Sequence, residues 1–318
     1  PEARYMKRDP VPDLVNATSR PPSPNLAMTF LVSLRPNQWT KNLVVLAGLL
    51  FGERLFDESA QFAAITAFVV FCAISSSMYL LNDLLDRQDD REHPIKSARP
   101  IATGALSPQA AGIGALTLGI SGLSAAFWLS TSFGFLALTF LVLLSAYSYT
   151  LKHIVILDVL TIAMGFVLRA ISGAVAVAVP ISNWLLVCTL LLALFLGFTK
   201  RRREIELLED GTAAHRKTLI AYTPQLLDQF IVVTATATIV SYAFYTGAPD
   251  TVEKFETGLL TATLPFPVYG IFRYLYLVHR RDNSENPSEM LLRDYPILAC
   301  IVLWVVTVMF IIYRPLGL

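Results

Sequence analysis

The residues best suited to chemistry form an acidic motif, Asn82-Asp83-Leu84-Leu85-Asp86-Arg87-Gln88-Asp89-Asp90, which directly follows an apolar segment. Residues 60–81 carry no charge over 22 positions, a length that crosses a bilayer as a helix. Asp83, Asp86 and Asp90 are spaced i, i+3 and i+7, so a continuing helix would place them on one face. Three neighbouring carboxylates repel one another unless a cation lies among them, and such oxygen ligands suit Mg²⁺. The motif therefore predicts a magnesium–diphosphate site at a membrane surface; the alternative is a solvated acidic loop.

Cations in two nearby segments could complete this site. Lys96 and Arg99 follow the acidic motif after one loop, and a diphosphate leaving group needs cations besides a metal. Arg35 and Lys41 flank Pro36, which should break the first apolar helix and create an anion-binding pocket. The alternative for this segment is that its cations snorkel to the membrane interface.

Two further cationic positions lie at or within apolar spans. Arg169 is about three helical turns beyond Asp158, and an arginine at hydrocarbon depth indicates a functional site. Its alternative role is to pair with Asp158 or with a helix-end carbonyl. Lys200 and Arg201 begin a tetrabasic run and are expected to turn inward, although such a run also serves as a topology anchor that attracts anionic lipid.

The composition excludes a soluble globule. The chain has 318 residues, of which 54% are hydrophobic and 15% are charged, and its mean hydropathy is +0.56, whereas soluble domains carry about 25% charged residues. We therefore expect an all-α, polytopic membrane protein in the lipid bilayer. The net charge of +1 gives no electrostatic footprint for nucleic acid.

The apolar pattern predicts one membrane domain over residues 26–318, preceded by a disordered cytoplasmic tail over residues 1–25. Nine spans are predicted: 27–51, 60–81, 108–130, 133–150, 156–178, 183–199, 225–247, 257–278 and 297–313. With the N-terminus inside, the outer segments hold only Arg54, Lys254 and Arg314, and Arg169 lies within a span, which leaves 21 of the 25 Lys and Arg residues on the inner side. The positive-inside rule thus places the acidic motif on the cytoplasmic face of the cell membrane.

The acidic motif, with Arg99-Pro100-Ile101 and Gly104 behind it, resembles the first aspartate motif of the UbiA superfamily of intramembrane prenyltransferases. The resemblance covers roughly residues 28–313 and implies nine helices around a cytoplasm-facing cavity. Members carry a second motif, Asp-x-x-x-Asp, that binds a prenyl diphosphate. Here Asp158 aligns with its first acid, but Ile162 stands in place of the second. This departure argues against a standard prenyl-diphosphate donor.

The resemblance is strongest to one branch, the decaprenyl-phosphate phosphoribosyltransferases. It rests on Arg35-Pro36-x-Gln38-Trp39-x-Lys41-Asn42, Leu151-Lys152-His153, Leu168-Arg169-Ala170-Ile171-x-Gly173, Lys200-Arg201 and Leu292-Arg293-Asp294. It implies transfer of phosphoribose from phosphoribosyl pyrophosphate to a polyprenyl phosphate, as in the synthesis of cell-wall arabinan precursors. It also implies that Asn82, Asp83, Asp86 and Asp90 hold Mg²⁺ on the diphosphate. Residues expected to bind substrate are Arg35, Gln38, Lys41, Lys96, Arg99, Tyr147, Lys152, Asp158, Arg169, Lys200 and Arg201.

Two other functions remain open at this point. An aromatic prenyltransferase would use a prenyl diphosphate and a small ring acceptor, and it would not need extra cations for a sugar phosphate. A transporter would also explain charges within the membrane, but the nearly uncharged outer segments do not suit a second gate. A homo-oligomer in the bilayer is compatible with either enzyme.

Overall fold

The long helices of the protein match the predicted spans closely. The computed structural model describes residues 25–92, 96–209, 219, 221–279 and 293–313; the predicted tail therefore lies almost wholly outside the described residues. The α-helices are α1 (Leu26–Ser33), α2 (Ala47–Phe51), α3 (Glu58–Leu85), α4 (Arg87–Glu92), α5 (Pro100–Thr103), α6 (Pro108–Leu129), α7 (Thr131–Tyr149), α8 (Leu157–Ala176), α9 (Asn183–Glu209), α10 (Pro224–Gly247), α11 (Pro249–Phe255), α12 (Pro265–Val278) and α13 (Tyr295–Tyr313).

Seven of the described helices are long and apolar enough to cross a membrane, namely α3, α6, α7, α8, α9, α10 and α13. Local capping explains where several begin. Asp57 accepts hydrogen bonds from the backbone amides of Ser59 and Ala60 at the start of α3, and Ser107 caps α6 in the same way, followed by Pro108. Ser130 ends α6 and caps α7, so the turn predicted at residues 130–134 is only one residue long.

The first predicted span is not one continuous helix. α1 ends at Ser33, a 3₁₀ helix runs over Pro36–Leu46, and α2 follows. The break lies at Arg35, whose backbone is left-handed, with φ 54° and ψ 61°, because a residue before proline is disfavoured in the right-handed helical region. The predicted break at Pro36 is therefore confirmed, whereas the continuous span is corrected to three short pieces.

The eighth predicted span is also interrupted. A 3₁₀ turn over Leu259–Thr263 precedes α12, and Pro265 and Pro267 both lie in the first turn of α12. α12 has 14 residues, or about 21 Å at 1.5 Å per residue, which is less than the roughly 30 Å of a hydrocarbon core. The prediction of nine continuous helices is thus replaced by seven long helices and two interrupted segments among the described residues.

Neighbouring helices in the chain are neighbours in space. α6 packs on α3 and α7, α8 on α7 and α9, and α10 on α9. α3 and α8 are the most buried of the long helices, with 61% of the apolar window of each inside the protein. The other long helices present more apolar surface outward, as expected of a multi-pass protein that faces lipid. α3 carries the first residues of the acidic motif and α8 carries Arg169, so the fold brings these predicted features together.

Candidate functional site

The acidic motif is held in a network of ion pairs at the end of α3. Arg35 Nη2 donates to Asp83 Oδ1, and Arg99 Nη1 lies 3.0 Å from Asp83 Oδ1 and 2.6 Å from Asp90 Oδ2. Asp83 and Asp90 are each only 3% exposed, while the two arginines keep about a quarter of their side chains exposed. The arginines therefore neutralise buried carboxylates from the more open side of the site.

Local structure explains why both arginines reach these acids. Each precedes a proline, and the extended backbone of Arg99, with φ −64° and ψ 141°, is the conformation that Pro100 favours. Arg91 Nε donates to the Ala102 carbonyl at 2.9 Å, which ties α4 to α5. Arg99 is thereby fixed beside Asp90 on α4.

Asp86 has a different partner from the other two aspartates. Lys152, in the 3₁₀ turn Leu151–His153 between α7 and α8, places Nζ 2.6 Å from Asp86 Oδ1. Asn82 Nδ2 donates to Asp86 Oδ2 at 3.1 Å. This ion pair joins the turn before α8 to the end of α3, so Lys152 lies beside the acidic motif.

The geometry corrects one detail of the predicted metal site, the shared helical face. α3 ends at Leu85, Asp86 is its C-cap, and Asp90 lies on the separate short helix α4, so the three acids do not share one continuous helical face. Among the described residues, no three His, Cys, Asp or Glu side chains are gathered into a metal-binding group. Asp83 and Asp90 nevertheless converge on a single cationic nitrogen, because both approach Arg99 Nη1.

A second cluster consists of cations. Lys41 lies within electrostatic range of Lys200, Arg169 and Arg35, so α8, α9 and the 3₁₀ helix Pro36–Leu46 each contribute a positive charge to one region. Arg35 also contacts Asp83, and this contact joins the cation cluster to the acidic motif. Four cations were expected around one cavity. Three of them, Lys41, Arg169 and Lys200, contribute to this region, whereas the fourth, Lys152, pairs with Asp86.

Arg169 is buried without a carboxylate partner. Its Nε donates to Asn42 Oδ1 at 2.7 Å and its Nη1 donates to the Gly165 carbonyl at 3.1 Å. The guanidinium carbon lies 4.5 Å from the centre of the Phe140 ring. No described acid forms an ion pair with Arg169, and Asp158, one of its predicted alternative partners, pairs elsewhere. The charge of Arg169 is thus available to an anionic ligand.

Asp158 is turned into the protein rather than toward a substrate. It is fully buried, and Arg201 Nε lies 2.9 Å from its Oδ2, although the N–H does not point along the line to the oxygen, so the contact is an ion pair rather than an aligned hydrogen bond. Tyr222 donates its hydroxyl proton to Asp158 Oδ1 at 2.9 Å and accepts a hydrogen bond from the Ile156 amide at 2.6 Å. Arg201 also pairs with Glu204. In this conformation Asp158 and Arg201 are structural partners, and the prediction that they bind substrate gains no support.

The remaining predicted residues are Gln38, Lys96 and Tyr147. Gln38 is half-buried on the 3₁₀ helix Pro36–Leu46, and Lys96 is exposed at the start of the turn before α5. Tyr147, near the end of α7, lies within electrostatic range of Arg201. Their roles in substrate binding stay predictions.

Two residues beside the clusters were missed as site residues. Tyr79 lies one helical turn before Asp83 on α3, and the guanidinium of Arg35 lies 5.2 Å from the centre of its ring. Its i−4 spacing from Asp83 was the signal that could have identified it. Asn42 was noted only as part of a sequence motif, since its contact with Arg169 spans 127 residues of chain.

One cavity opens beside α8 without including the charged clusters in its lining. It has a volume of about 690 Å³ and is lined by residues of α2, α8, α9 and α11, including Gly48, Ala174, Trp184 and Lys254. Its lining includes none of the predicted site residues. The candidate site is therefore defined by the charged clusters and not by this cavity.

Comparison with known proteins agrees with this architecture. The model of the UbiA prenyltransferase family matches residues 42–298. The chain is 33% identical over 323 residues to a decaprenyl-phosphate phosphoribosyltransferase from Mycolicibacterium smegmatis, covering 98% of this chain and 99% of that protein. It is 34% identical over 306 residues to a protein of the same name from Corynebacterium glutamicum, covering 92% and 90%.

Solved structures share the fold. A UbiA homologue from Archaeoglobus fulgidus, bound to DMAPP and Mg²⁺, superposes with a TM-score of 0.68 at 17% identity, covering 90% of this chain and 99% of that one. A UbiA homologue from Aeropyrum pernix gives a TM-score of 0.61 at 15% identity, covering 90% and 99%. On the extent of the family match and the identity to these relatives, the chain belongs to the UbiA prenyltransferase family.

Proposed function

We propose that this protein transfers the 5-phosphoribosyl group of phosphoribosyl pyrophosphate to a polyprenyl phosphate, such as decaprenyl phosphate, and releases pyrophosphate. The observation that carries the proposal is the junction of the two charged clusters at Arg35, which contacts Asp83 and lies near Lys41. The names of the relatives from Mycolicibacterium smegmatis and Corynebacterium glutamicum support the same reaction.

The distribution of charge suits this donor better than a prenyl diphosphate. A prenyl diphosphate is charged at one end and apolar along the rest. One charged cluster beside an apolar cavity would therefore be enough to bind it. Phosphoribosyl pyrophosphate has phosphate at both ends of the sugar, and a second phosphate needs fixed cations within a membrane cavity. Lys41, Arg169 and Lys200 provide such cations beyond the aspartate network.

We also propose that the acidic motif holds Mg²⁺ on the diphosphate. Asp83 Oδ1 and Asp90 Oδ2 both lie within 3.0 Å of one nitrogen, Arg99 Nη1, so they already share a position suited to a cation. Their oxygens, with those of Asp86 and Asn82, are hard ligands that fit magnesium. The ion, when bound, would neutralise charge on the leaving diphosphate.

The side chains of this protein would then act by positioning and charge neutralisation. Arg35, Arg99 and Lys152 surround the carboxylates and would bind diphosphate oxygens. The acceptor phosphate is already anionic near neutral pH, because its second pKa is about 6, so no general base is needed. One of its oxygens would bond to the anomeric carbon while the bond from that carbon to the diphosphate breaks; a single displacement on the α-donor gives a β-linked product.

The experiment that tests this function uses the purified protein in detergent with Mg²⁺. Labelled phosphoribosyl pyrophosphate is incubated with decaprenyl phosphate, and in parallel geranyl diphosphate is incubated with 4-hydroxybenzoate. We expect a labelled lipid and free pyrophosphate in the first reaction only. Product in the second reaction alone would identify an aromatic prenyltransferase and overturn the proposal.

A further inference from the structure

Asn42 joins the first membrane segment to the centre of α8. Its side chain is fully buried, its Oδ1 accepts from Arg169 Nε at 2.7 Å, and its Nδ2 donates to Cys72 Sγ at 3.3 Å. The hydroxyl of Ser75 lies 3.5 Å from the same Oδ1. Since an arginine nitrogen can only donate, the atom that faces it must be the amide oxygen. The orientation of the Asn42 amide is thus fixed from both ends.

Close backbone packing holds Asn42 at this distance. Gly173, one helical turn beyond Arg169 on α8, lies so close to the Val45 carbonyl that a Cβ at position 173 would overlap it. The same holds for Gly48 against the backbone at Ala174. These two glycines let the 3₁₀ helix Pro36–Leu46 and α2 lie directly on α8, because a larger residue would push the segments apart. The close backbone packing of these segments therefore brings the Asn42 side chain to Arg169.

The pairing orients Arg169 without cancelling its charge. Two of the three guanidinium nitrogens donate to neutral acceptors, Nε to Asn42 and Nη1 to the Gly165 carbonyl, while Nη2 donates to no described residue. A carboxylate at position 42 would occupy nearly the same volume but would satisfy the positive charge within the protein. A neutral amide leaves the full charge for a ligand, and a desolvated cation attracts an anion strongly.

We infer that Asn42 is a positioning residue: it orients the Arg169 guanidinium so that Nη2, which has no acceptor in the described part of the chain, can bind a substrate phosphate, and its neutrality sets the strength of phosphate binding. The inference rests on the proposed function only in that the site must bind a phosphate; it does not depend on which donor is used. Asn42 itself need not touch substrate. Lys41, the preceding residue, lies within electrostatic range of Arg169. The 3₁₀ helix Pro36–Leu46 therefore supplies one cation, Lys41, and also the residue that orients a second cation, Arg169.

The test compares Asn42→Asp, Arg169→Met and the double variant. Dissociation constants are measured in detergent with Mg²⁺ for phosphoribosyl pyrophosphate, pyrophosphate and decaprenyl phosphate, together with Tm, kcat and KM. For Asn42→Asp we expect at least one ligand to bind about 10- to 100-fold more weakly, the range for a lost charged hydrogen bond. KM for that ligand should rise more than kcat falls, and Tm should stay at or above that of the wild type. In the Arg169→Met background, Asn42→Asp should weaken binding no further.

The control is Thr238→Val on α10, where a buried hydroxyl bonds only within its own helix; we expect its affinities to match the wild type. The inference is overturned if Asn42→Asp leaves all three affinities within about twofold of the wild type, or if its effect persists without Arg169. Failure of the proposed function is separate, since phosphoribosyl pyrophosphate would then not be turned over by the wild type, while the pyrophosphate and lipid-phosphate affinities would still report on Asn42.

Discussion

Asp158 and Arg201 form an ion pair from which water is almost fully excluded, with Arg201 Nε 2.9 Å from Asp158 Oδ2 and side-chain exposures of 0% and 2%. Arg201 has a second acid, Glu204, at the more open end of the pair. Among the described residues, Asp158 has the hydroxyl of Tyr222 as its one further side-chain partner. Removal of Arg201 therefore takes away the ion pair of Asp158, whereas removal of Asp158 leaves Arg201 paired with Glu204.

Arg201→Met should destabilise the protein more than Asp158→Asn. Removing Arg201 leaves an uncompensated charge at a fully buried position, a cost of about 3–5 kcal/mol, whereas Asp158→Asn leaves Arg201 paired with Glu204. The double variant should regain part of the stability lost in Arg201→Met. Thermal unfolding in detergent measures all three. Equal losses in the single variants, or no recovery in the double variant, would contradict this account.

Sequence patterns anticipated the features that depend on local chemistry. Apolar length, proline geometry and charge predicted the helical span over residues 60–81, the break at Pro36 and the approach of Arg99 to the acidic motif. The family resemblance added the functional interpretation of these features. These local signals were sufficient because each depends on residues that are close in the chain or on the length of a segment that crosses the membrane.

Features that depend on distant partners were not predictable in this way. Asp158 was expected to bind substrate because it aligns with the first acid of the second aspartate motif, but it pairs with Arg201 and with Tyr222, 64 residues away. Asn42 was passed over for the same reason, since only folding brings it to Arg169. A pattern identifies a polar residue at membrane depth, whereas its partners depend on how the helices pack.

Replacing each acid of the motif should distinguish the metal ligands from an acid that does not bind the metal. We expect Asp83→Asn, Asp86→Asn and Asp90→Asn each to lower turnover by about 10²-fold or more, the scale for lost electrostatic stabilisation of a leaving group. Asp89, which is exposed beside the buried Asp90, supplies the matched control, and Asp89→Asn should keep most of the activity. Chelator should abolish turnover, and added Mg²⁺ should restore it. Full turnover in EDTA would remove the metal from the proposed site.

The orientation in the membrane can be tested by cysteine labelling. The inner side holds 21 of the 25 Lys and Arg residues by our assignment, and the three native cysteines are buried. Ser97→Cys should react with a membrane-impermeant reagent only in inside-out vesicles, and Asp250→Cys only in right-side-out vesicles or intact cells. The reverse pattern at either position would move the candidate site to the other face of the membrane.

Tyr222 should stabilise the start of α8 over the whole physiological pH range. Burial raises the pKa of Tyr222 to about 12, so its hydroxyl remains a donor to Asp158. Because the pKa in the unfolded chain is about 10, this contribution is fully present below about pH 10 and is lost as the pH rises toward 12. Tyr222→Phe should therefore cost about 1–3 kcal/mol at pH 7. Between pH 10 and 12, the Tm of the wild type should fall more steeply than that of Tyr222→Phe. Parallel curves of Tm against pH would refute a stabilising role for the protonated Tyr222 hydroxyl.

The cation cluster leads to the most specific prediction about the donor. Lys41 lies within electrostatic range of Lys200 and Arg169, and a phosphate bound among these like charges would be stabilised by all of them. Lys41→Ala and Lys200→Ala should each raise KM for phosphoribosyl pyrophosphate about tenfold or more by weakening ground-state binding, with a smaller effect on kcat. Neither change should remove the dependence on Mg²⁺, because the acidic motif is intact in both. Lys254→Ala is the matched control, since Lys254 lies on α11 away from both charged clusters, and its KM should equal that of the wild type. A KM unchanged in both cluster variants would mean that the far phosphate of the sugar is not bound there.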